Sequence, residues 1–295
     1  MENSPFIILL PLFILAGFGY ALTKIFDLSE DTLVRVLTDC FMPLLVFYSL
    51  YTSNLEARES LHIAGASTFV TAFLAFLCLL YCKITGQRYA VFTPPVIFGN
   101  SGFLGIPLME LWKGYAAVNM IVIYDQVMTF WIFTLGIAIV TGGLKSSGLK
   151  EMAKSPLLWA IVAGFTAAYT RIRIPAPVME IVRFGGSGAS ALAAFLLGCS
   201  VSRRRIVFDV HIISGTLMRH AGGFLAGLLA CGIFNIHGSA RQIIIVASAL
   251  PSAVFSFVLP VRYGIDSEHP GSMVLITTAL GLVTVPLLLY LVNIL

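Results

Sequence analysis

One short stretch of otherwise apolar sequence, residues 92–108, holds three prolines, three glycines and the adjacent polar residues Asn100 and Ser101. Its prolines are Pro94, Pro95 and Pro107. A proline inside a helix removes a backbone hydrogen bond and costs roughly 3 kcal/mol, so this stretch is expected to form two half-helices. The N-terminus of a half-helix carries partial positive charge and free N–H groups, which suit a carboxylate. The candidates for binding an anion at this break are Asn100, Ser101 and Gly102.

A second broken stretch lies in the other half of the chain, where residues 249–260 include Pro251, Ser252 and Pro260. Breaks at corresponding places in two halves of a membrane protein indicate a transporter binding site. The freed backbone groups can be satisfied only in a buried or water-lined cavity. Pro251 and Ser252 are therefore the second set of candidate substrate-binding residues. Two unrelated proline kinks are the alternative interpretation.

One acidic residue, Asp125, lies in the middle of a further apolar stretch, residues 117–141. A carboxylate at the centre of a bilayer costs roughly 2.5–3.5 kcal/mol on insertion scales, so functional use is the first hypothesis. Asp125 is the candidate site for a coupling ion, either a proton or sodium. The alternative is a structural hydrogen bond between Asp125 and the broken backbone near Asn100.

Two other charged residues within apolar stretches are left with open roles. Asp39 lies one turn before Pro43 and either pairs with a cation or faces water. Arg219 and His220 lie beside Gly222 and Gly223. The Arg219 guanidinium either meets the substrate carboxylate, pairs with Asp125 or extends to the membrane interface.

The composition of the chain requires a membrane around these residues. Hydrophobic residues make up 58% of the 295 residues and charged residues 11%, against roughly 25% charged residues in a soluble domain. The apolar stretches are continuous, which favours helices over the alternating strands of a membrane barrel. A span needs about 20 apolar residues. Ten segments qualify, at approximately 6–24, 31–52, 61–82, 90–112, 117–141, 156–171, 176–201, 210–234, 241–263 and 271–293.

The sequence also divides into two similar halves. Leu15–Phe18, in the first span, resembles Val162–Phe165, in the sixth. With five spans in each half, the second half enters the membrane from the opposite side, as in the inverted repeats of secondary transporters. We therefore predict an all-α membrane protein of ten transmembrane helices, of which the fourth and ninth are broken. The repeats are residues 1–142 and 156–295, joined by a cytoplasmic linker at 143–155.

Lys and Arg are concentrated in the loops after spans 1, 3, 5, 7 and 9, for example Lys145, Lys150 and Arg203–Arg205. Positively charged loops stay in the cytoplasm, so both termini are expected outside it. The predicted location is the inner or plasma membrane, crossed many times. The chain lacks a Walker-type phosphate loop and the motifs of intramembrane zinc or aspartyl proteases. We expect no enzyme activity, no cofactor or metal, and no nucleic-acid partner.

Four parts of the chain resemble the auxin efflux carrier family. The most specific is Gly99–Leu108, GNSGFLGIPL. The others are Leu250–Val254 with Val261–Gly264, Met42–Phe47 and Leu192–Gly198. The resemblance covers nearly the whole chain and is strongest to bacterial malonate and other organic-acid permeases. These permeases are related in fold to PIN-type auxin exporters and bile-acid/sodium symporters.

This resemblance implies a scaffold of spans 1, 2, 6 and 7 and a transport domain of spans 3–5 and 8–10. Spans 4 and 9 would cross in mid-membrane beside the substrate, and Gln126 would hydrogen-bond the anion. The predicted function is alternating-access transport of a small organic anion: a dicarboxylate, a monocarboxylate or an auxin-like acid. A homodimer through the scaffold is left open. The alternatives are a sodium/proton antiporter, which would want two adjacent acidic residues, and a membrane sensor that does not transport.

Overall fold

The computed structural model describes residues 5–26, 28–52, 57–142, 156–202, 207–253, 256, 260 and 268–294. Every named secondary-structure element in these ranges is a helix, which confirms the predicted all-α class. The α-helices are α1 Pro5–Phe26, α2 Glu30–Val36, α3 Met42–Tyr51, α4 Ala57–Thr85, α5 Tyr89–Ile97, α6 Ile106–Lys113, α7 Tyr115–Trp131, α8 Ile137–Thr141, α9 Pro156–Tyr169, α10 Ala176–Ser202, α11 Val210–Leu217, α12 Gly223–Ile233, α13 Gly238–Ser248 and α14 Glu268–Ile294. Four π-helical turns lie beside them, at Leu37–Phe41, Ser101–Gly105, Ile132–Gly136 and Met218–Gly222.

Five helical segments in the described ranges are long and apolar enough to cross a membrane, judged by length and composition. They are Thr32–Tyr51, Arg58–Thr85, Tyr115–Thr141, Val210–Ile233 and Glu268–Ile294. Two shorter apolar helices are Leu10–Phe26 and Leu158–Tyr169. Predicted spans 4 and 9 are not in this set, because the α-helices described within them are too short to cross a membrane. The longest of these helices, α13, has 11 residues. The chain is thus consistent with a multi-pass membrane protein, while the total of ten spans and their inverted arrangement stay predictions.

The outer surface of α4 is apolar, as expected of a helix that faces lipid. Phe76, Leu79 and Leu80 are all about half exposed or more. A water-soluble monomer rarely exposes a continuous patch of this kind, because its contact with water is unfavourable.

One group of helices consists of α1, α3, α9 and α10, which pack against each other. The closest approach joins α1 to α10. A Cβ atom on Gly19 would lie 1.9 Å from the Phe195 carbonyl oxygen, and one on Gly198 would lie 1.8 Å from that of Ala16. Only glycine permits this distance between two helix backbones. These helices include the predicted scaffold spans, although the division into scaffold and transport domain stays a prediction.

A second group places α7 at its centre. Helix α4 packs against α5, α7 and α12, and α13 packs against α7 and α12. Ser67 on α4 donates a hydrogen bond to the carbonyl oxygen of Tyr124, at 2.9 Å. The buried Tyr124 hydroxyl lies 3.3 Å from Ser248 Oγ at the end of α13. These contacts hold Tyr124 in place and thereby position Asp125, the next residue of α7. The predicted linker at 143–155 and the Arg203–Arg205 run lie outside the described residues.

Candidate functional site

The two broken stretches meet each other directly where residues 98–100 pair with residues 251–253, a place that we call the crossing. Residues Gly99 and Ser252 form an isolated antiparallel backbone pairing. The Asn100 N–H donates to the Pro251 carbonyl oxygen at 2.7 Å, and the Ala253 N–H donates to the Phe98 carbonyl oxygen at 2.9 Å. Each break therefore satisfies backbone groups that the other has freed, as a structure within lipid requires.

The prolines of the first stretch flank the break rather than occupy it. Pro94 and Pro95 lie in the last turn of α5, which ends at Ile97. Pro107 lies in the first turn of α6, which directly follows the π-helical turn Ser101–Gly105, so Pro107 falls within the helical segment after the break. The non-helical residues are thus 98–100. Pro260 is buried, and most of the chain between Ala253 and Glu268 lies outside the described residues.

Asn100 starts the helical segment that follows the break. Its Oδ1 accepts a hydrogen bond from the Phe103 N–H at 3.2 Å, which makes it an N-cap. Its Nδ2 is buried and has no hydrogen-bond partner among the described residues. A buried amide donor without a partner costs roughly 1–3 kcal/mol. Asn100 therefore retains a donor that a ligand or a water molecule could take up.

Asp125 lies beside this N-terminus and is 9% exposed. Its Oδ1 accepts a hydrogen bond from Ser101 Oγ at 2.7 Å, and its Oδ2 accepts one from Gln126 Nε2 at 3.2 Å. The carboxylate also packs against Gly102, where a Cβ atom would lie 3.2 Å from Oδ1. The structure thus brings together all five candidate residues of the first half: Asn100, Ser101, Gly102, Asp125 and Gln126.

The candidate residues of the second break, Pro251 and Ser252, contact the first broken stretch and α14. The Ser252 hydroxyl donates to the Pro95 carbonyl oxygen at 2.5 Å, and the Ser252 N–H donates to Thr277 Oγ1 at 3.1 Å. Ser252 is fully buried. The ring of Pro251 packs against α14 at Gly281, where a Cβ atom would lie 2.7 Å from Pro251 Cγ.

Arg219 is fully buried in the π-helical turn before α12, so its side chain does not reach the protein surface. Its Nη1 donates to the Val96 carbonyl oxygen at 2.8 Å, and its Nη2 donates to the Ser248 carbonyl oxygen. His220 Nδ1 lies 3.0 Å from the Ala249 carbonyl oxygen. Arg219 and Asp125, both described, form no ion pair with each other. This role is not among the three alternatives that the sequence offers for Arg219. An arginine within an apolar stretch, close to Gly222 and Gly223, is nevertheless a signal for a buried cation.

A cavity of about 660 Å³ adjoins the Asp125 cluster. It lies between α4, α7 and α9, and its walls are mainly apolar and aromatic. Its lining includes Phe69, Gln126, Phe130, Trp131, Phe165 and Phe234. Gln126 connects the two features, since it lines the cavity and donates to Asp125. No charged side chain is among the described residues that line it.

Asp39, whose role the sequence leaves open, is exposed in the π-helical turn between α2 and α3. Thr38 Oγ1 donates a hydrogen bond to its Oδ1 at 3.2 Å. Its role stays open. Within the described ranges there is no cluster of three or more His, Cys, Asp or Glu side chains that could hold a metal ion.

The chain is similar over almost its whole length to proteins that are named as transporters. The family profile described as membrane transport protein matches residues 5–146 and 144–289. An uncharacterized transporter of Methanothermobacter thermautotrophicus is 26% identical, with 94% of this chain and 95% of the relative covered. An uncharacterized transporter of Escherichia coli is 24% identical, with 96% of each covered. A Rhizobium meliloti protein, named as a proposed malonate transporter, is 24% identical, with 97% and 95% covered. This chain therefore belongs to the membrane transport protein family, the family of the auxin efflux carriers.

Proposed function

We propose that this membrane transporter carries small organic anions by alternating access. The observation that carries the proposal is the pair of breaks joined backbone to backbone at Gly99 and Ser252. Beside them lie a buried carboxylate, Asp125, and a buried unpaired amide donor, Asn100 Nδ2. Broken helices that meet next to polar groups form the substrate and ion sites of many secondary transporters.

In this proposal the anion enters the cavity beside α7 and directs its carboxylate towards the first break. Gln126 on the cavity wall and Asn100 at the N-terminus of the following helical segment supply the donors. The partial positive charge of a helix N-terminus stabilises an anion there. Aromatic walls suit an apolar substrate body.

The walls of the cavity favour one subclass of anion. A dicarboxylate would bury two charges, and each would need a polar or cationic partner. With no charged side chain among the described lining residues, a monocarboxylate with an apolar body fits better than a short dicarboxylate. The Rhizobium relative, named for malonate, supports organic anions as the general class.

Asp125 is the proposed site of a coupling proton or sodium ion, because it is the buried carboxylate at the crossing. In this proposal the transport domain moves against the scaffold during each transport cycle. The protein lies in the inner or plasma membrane with both termini outside the cytoplasm. A sodium/proton antiporter lacks support, since no second acidic residue adjoins Asp125 among the described residues. The relatives are named transporters and support no enzymatic role.

The test uses the purified protein in liposomes with a panel of labelled mono- and dicarboxylates, each measured with and without proton and sodium gradients. We expect saturable uptake of at least one anion, with apolar monocarboxylates preferred to malonate. Cation-for-proton exchange without any anion uptake would identify an antiporter. Absence of both activities in correctly folded protein would point to a sensor, and either result overturns the proposal.

The same assay examines Asp125 with a matched control. Asp125→Asn removes the titrating group and is expected to abolish the dependence of uptake on the driving gradient. Asp209→Asn is the control, because Asp209 lies at the N-cap of α11 and pairs with His269, away from the crossing. If Asp125→Asn kept the full gradient dependence of the wild type, Asp125 would not be the coupling site.

A further inference from the structure

Two helices end at the crossing with their C-termini towards each other. Helix α5 ends at Ile97 and α13 ends at Ser248. The last carbonyl groups of a helix have no partner within it, and together they carry about half a negative charge. Two such ends at one buried place require a cation or several donors.

Arg219 provides those donors from a third helix. One guanidinium nitrogen donates to Val96 in the last turn of α5, and another donates to Ser248, the last residue of α13. Among the described residues, no carboxylate lies within ion-pair distance of the guanidinium. A buried charge without such a partner is costly, so the two helix ends are the counter-charge that the described structure supplies.

Gly223 makes room for the guanidinium beside these carbonyl groups, since a Cβ atom on it would lie 2.7 Å from Arg219 Nη2. Gly99 is in contact with the guanidinium on the other side, where a Cβ atom would lie at an ordinary contact distance of 3.6 Å from Nη1. The neighbouring His220 Nδ1 lies 3.0 Å from Ala249, the next carbonyl group of the second break. The crossing is thus built around this side chain, which fills the space between the helix ends.

In transporters with broken helices, half-helix C-termini and unwound carbonyl groups commonly coordinate sodium. We propose that Arg219 is a resident cation at this place and takes the role of a bound sodium ion, so that transport by this protein is independent of sodium. The inference rests on the proposed carrier function, and it leaves a proton as the coupling ion at Asp125. Both Nη atoms donate to the carbonyl groups, whereas the buried Nε–H has no partner among the described residues.

The test reads sodium binding without any substrate. Thermal unfolding of the purified protein is measured in sodium, potassium and choline chloride at equal ionic strength, together with direct binding of radiolabelled sodium. We expect the wild type to unfold at the same temperature in all three salts and to bind no sodium. A saturable stabilisation of the wild type by sodium alone would overturn the proposal, and this arm needs no variant.

Two variants sharpen the test. Arg219→Met removes the cation, and we expect a fall of about 10 °C in the unfolding temperature, part of which sodium restores. Arg219→Lys keeps a charge and should show a smaller fall with no gain from sodium. Arg183→Met is the control, because Arg183 is half exposed and pairs only one turn away with Glu180; it should behave as the wild type.

The remaining outcomes are equally decisive. If Arg219→Met unfolded like the wild type in every salt, the helix ends would need no cation and the proposal would be wrong. If that variant could not be purified, the wild-type arm would still decide. Failure of anion uptake in liposomes would contradict the carrier function but would leave the sodium result unchanged, so the two failures are distinguishable.

Discussion

The two breaks at the crossing contain similar residue types but use them differently. At the first break, the Asn100 amide donor is unpaired and the Asp125 carboxylate lies beside it. At the second, Ser252 donates to Pro95, and the Ser248 carbonyl group accepts from Arg219. A proline and a polar residue in a membrane helix can therefore expose groups to a ligand or hold two helices together. The distinction depends on whether the polar atoms already have partners.

The direction of the helices explains part of this difference. At the first break, Asn100 begins a helical segment and presents its positive end. Helices α5 and α13 both end at the crossing, and their negative ends are covered by Arg219. The crossing thus has one face with a positive helix end and an unpaired donor, and one face that is internally neutralised.

The largest expected effect concerns the neutralised face. In Gly223→Ala the new Cβ atom would lie 2.1 Å from the Ser248 carbonyl oxygen, and a backbone atom cannot move away cheaply. We expect a loss of about 3 kcal/mol in the free energy of unfolding, from overpacking. The measurement is unfolding in detergent. Gly232→Ala on the same helix has no atom within 4 Å of its Cβ and should be neutral or stabilising by up to about 1 kcal/mol. Equal effects of the two changes would contradict the tight packing.

The next prediction tests the proposed anion site at the first break. Asn100→Ser keeps an N-cap residue, since serine caps helices about as well as asparagine, but removes the unpaired amide donor. We expect the KM for the best-transported anion to rise about 10–100-fold, the value of a hydrogen bond to a charged group, with stability unchanged or higher because the removed donor has no partner. Asn100→Ala removes cap and donor together and should be about 1 kcal/mol less stable than Asn100→Ser. An unchanged KM in both variants would remove Asn100 from the binding site.

The opposite pattern is predicted for Ser252. Ser252→Ala leaves the Pro95 carbonyl group without its hydroxyl partner in a fully buried place, at a cost of about 1–2 kcal/mol in stability. The KM for the anion should stay the same. Ser214→Ala is the control, because that exposed hydroxyl bonds only to Val210 of its own helix and should change stability by less than about 0.5 kcal/mol. A raised KM with unchanged stability would return Ser252 to the substrate site.

Much of this arrangement could be predicted from local sequence. The apolar stretches and the prolines near Asn100 and Pro251 indicate helices and breaks, because both depend on residues close in the chain. The sequence also offered a hydrogen bond between Asp125 and the broken backbone as one alternative, since a buried carboxylate needs donors. The donors found are the side chains of Ser101 and Gln126.

The functions of Arg219 and Ser252 could not be predicted in the same way. Their partners are carbonyl groups, which every residue carries, so no side-chain type indicates them. Arg219 reaches Val96 and Ser248 only because three helices cross at one place. Similarly, the composition of α10 predicts a span, but the contact of Gly198 with Ala16 depends on the position of α1.

The smallest predicted effect concerns Gly102, which packs against Asp125 at the first break. In Gly102→Ala the new Cβ atom would lie 3.2 Å from Asp125 Oδ1, a side-chain atom that can move by a few tenths of an ångström. We expect a change of less than about 1 kcal/mol in stability, because alanine also favours the helical turn. The displaced carboxylate should weaken its bond to Ser101 Oγ and alter the pH dependence of the transport rate, measured in liposomes. A stability loss as large as that of Gly223→Ala would mean that the first break is as rigid as the second. The contrast between a ligand-binding face and a structural face would then fail.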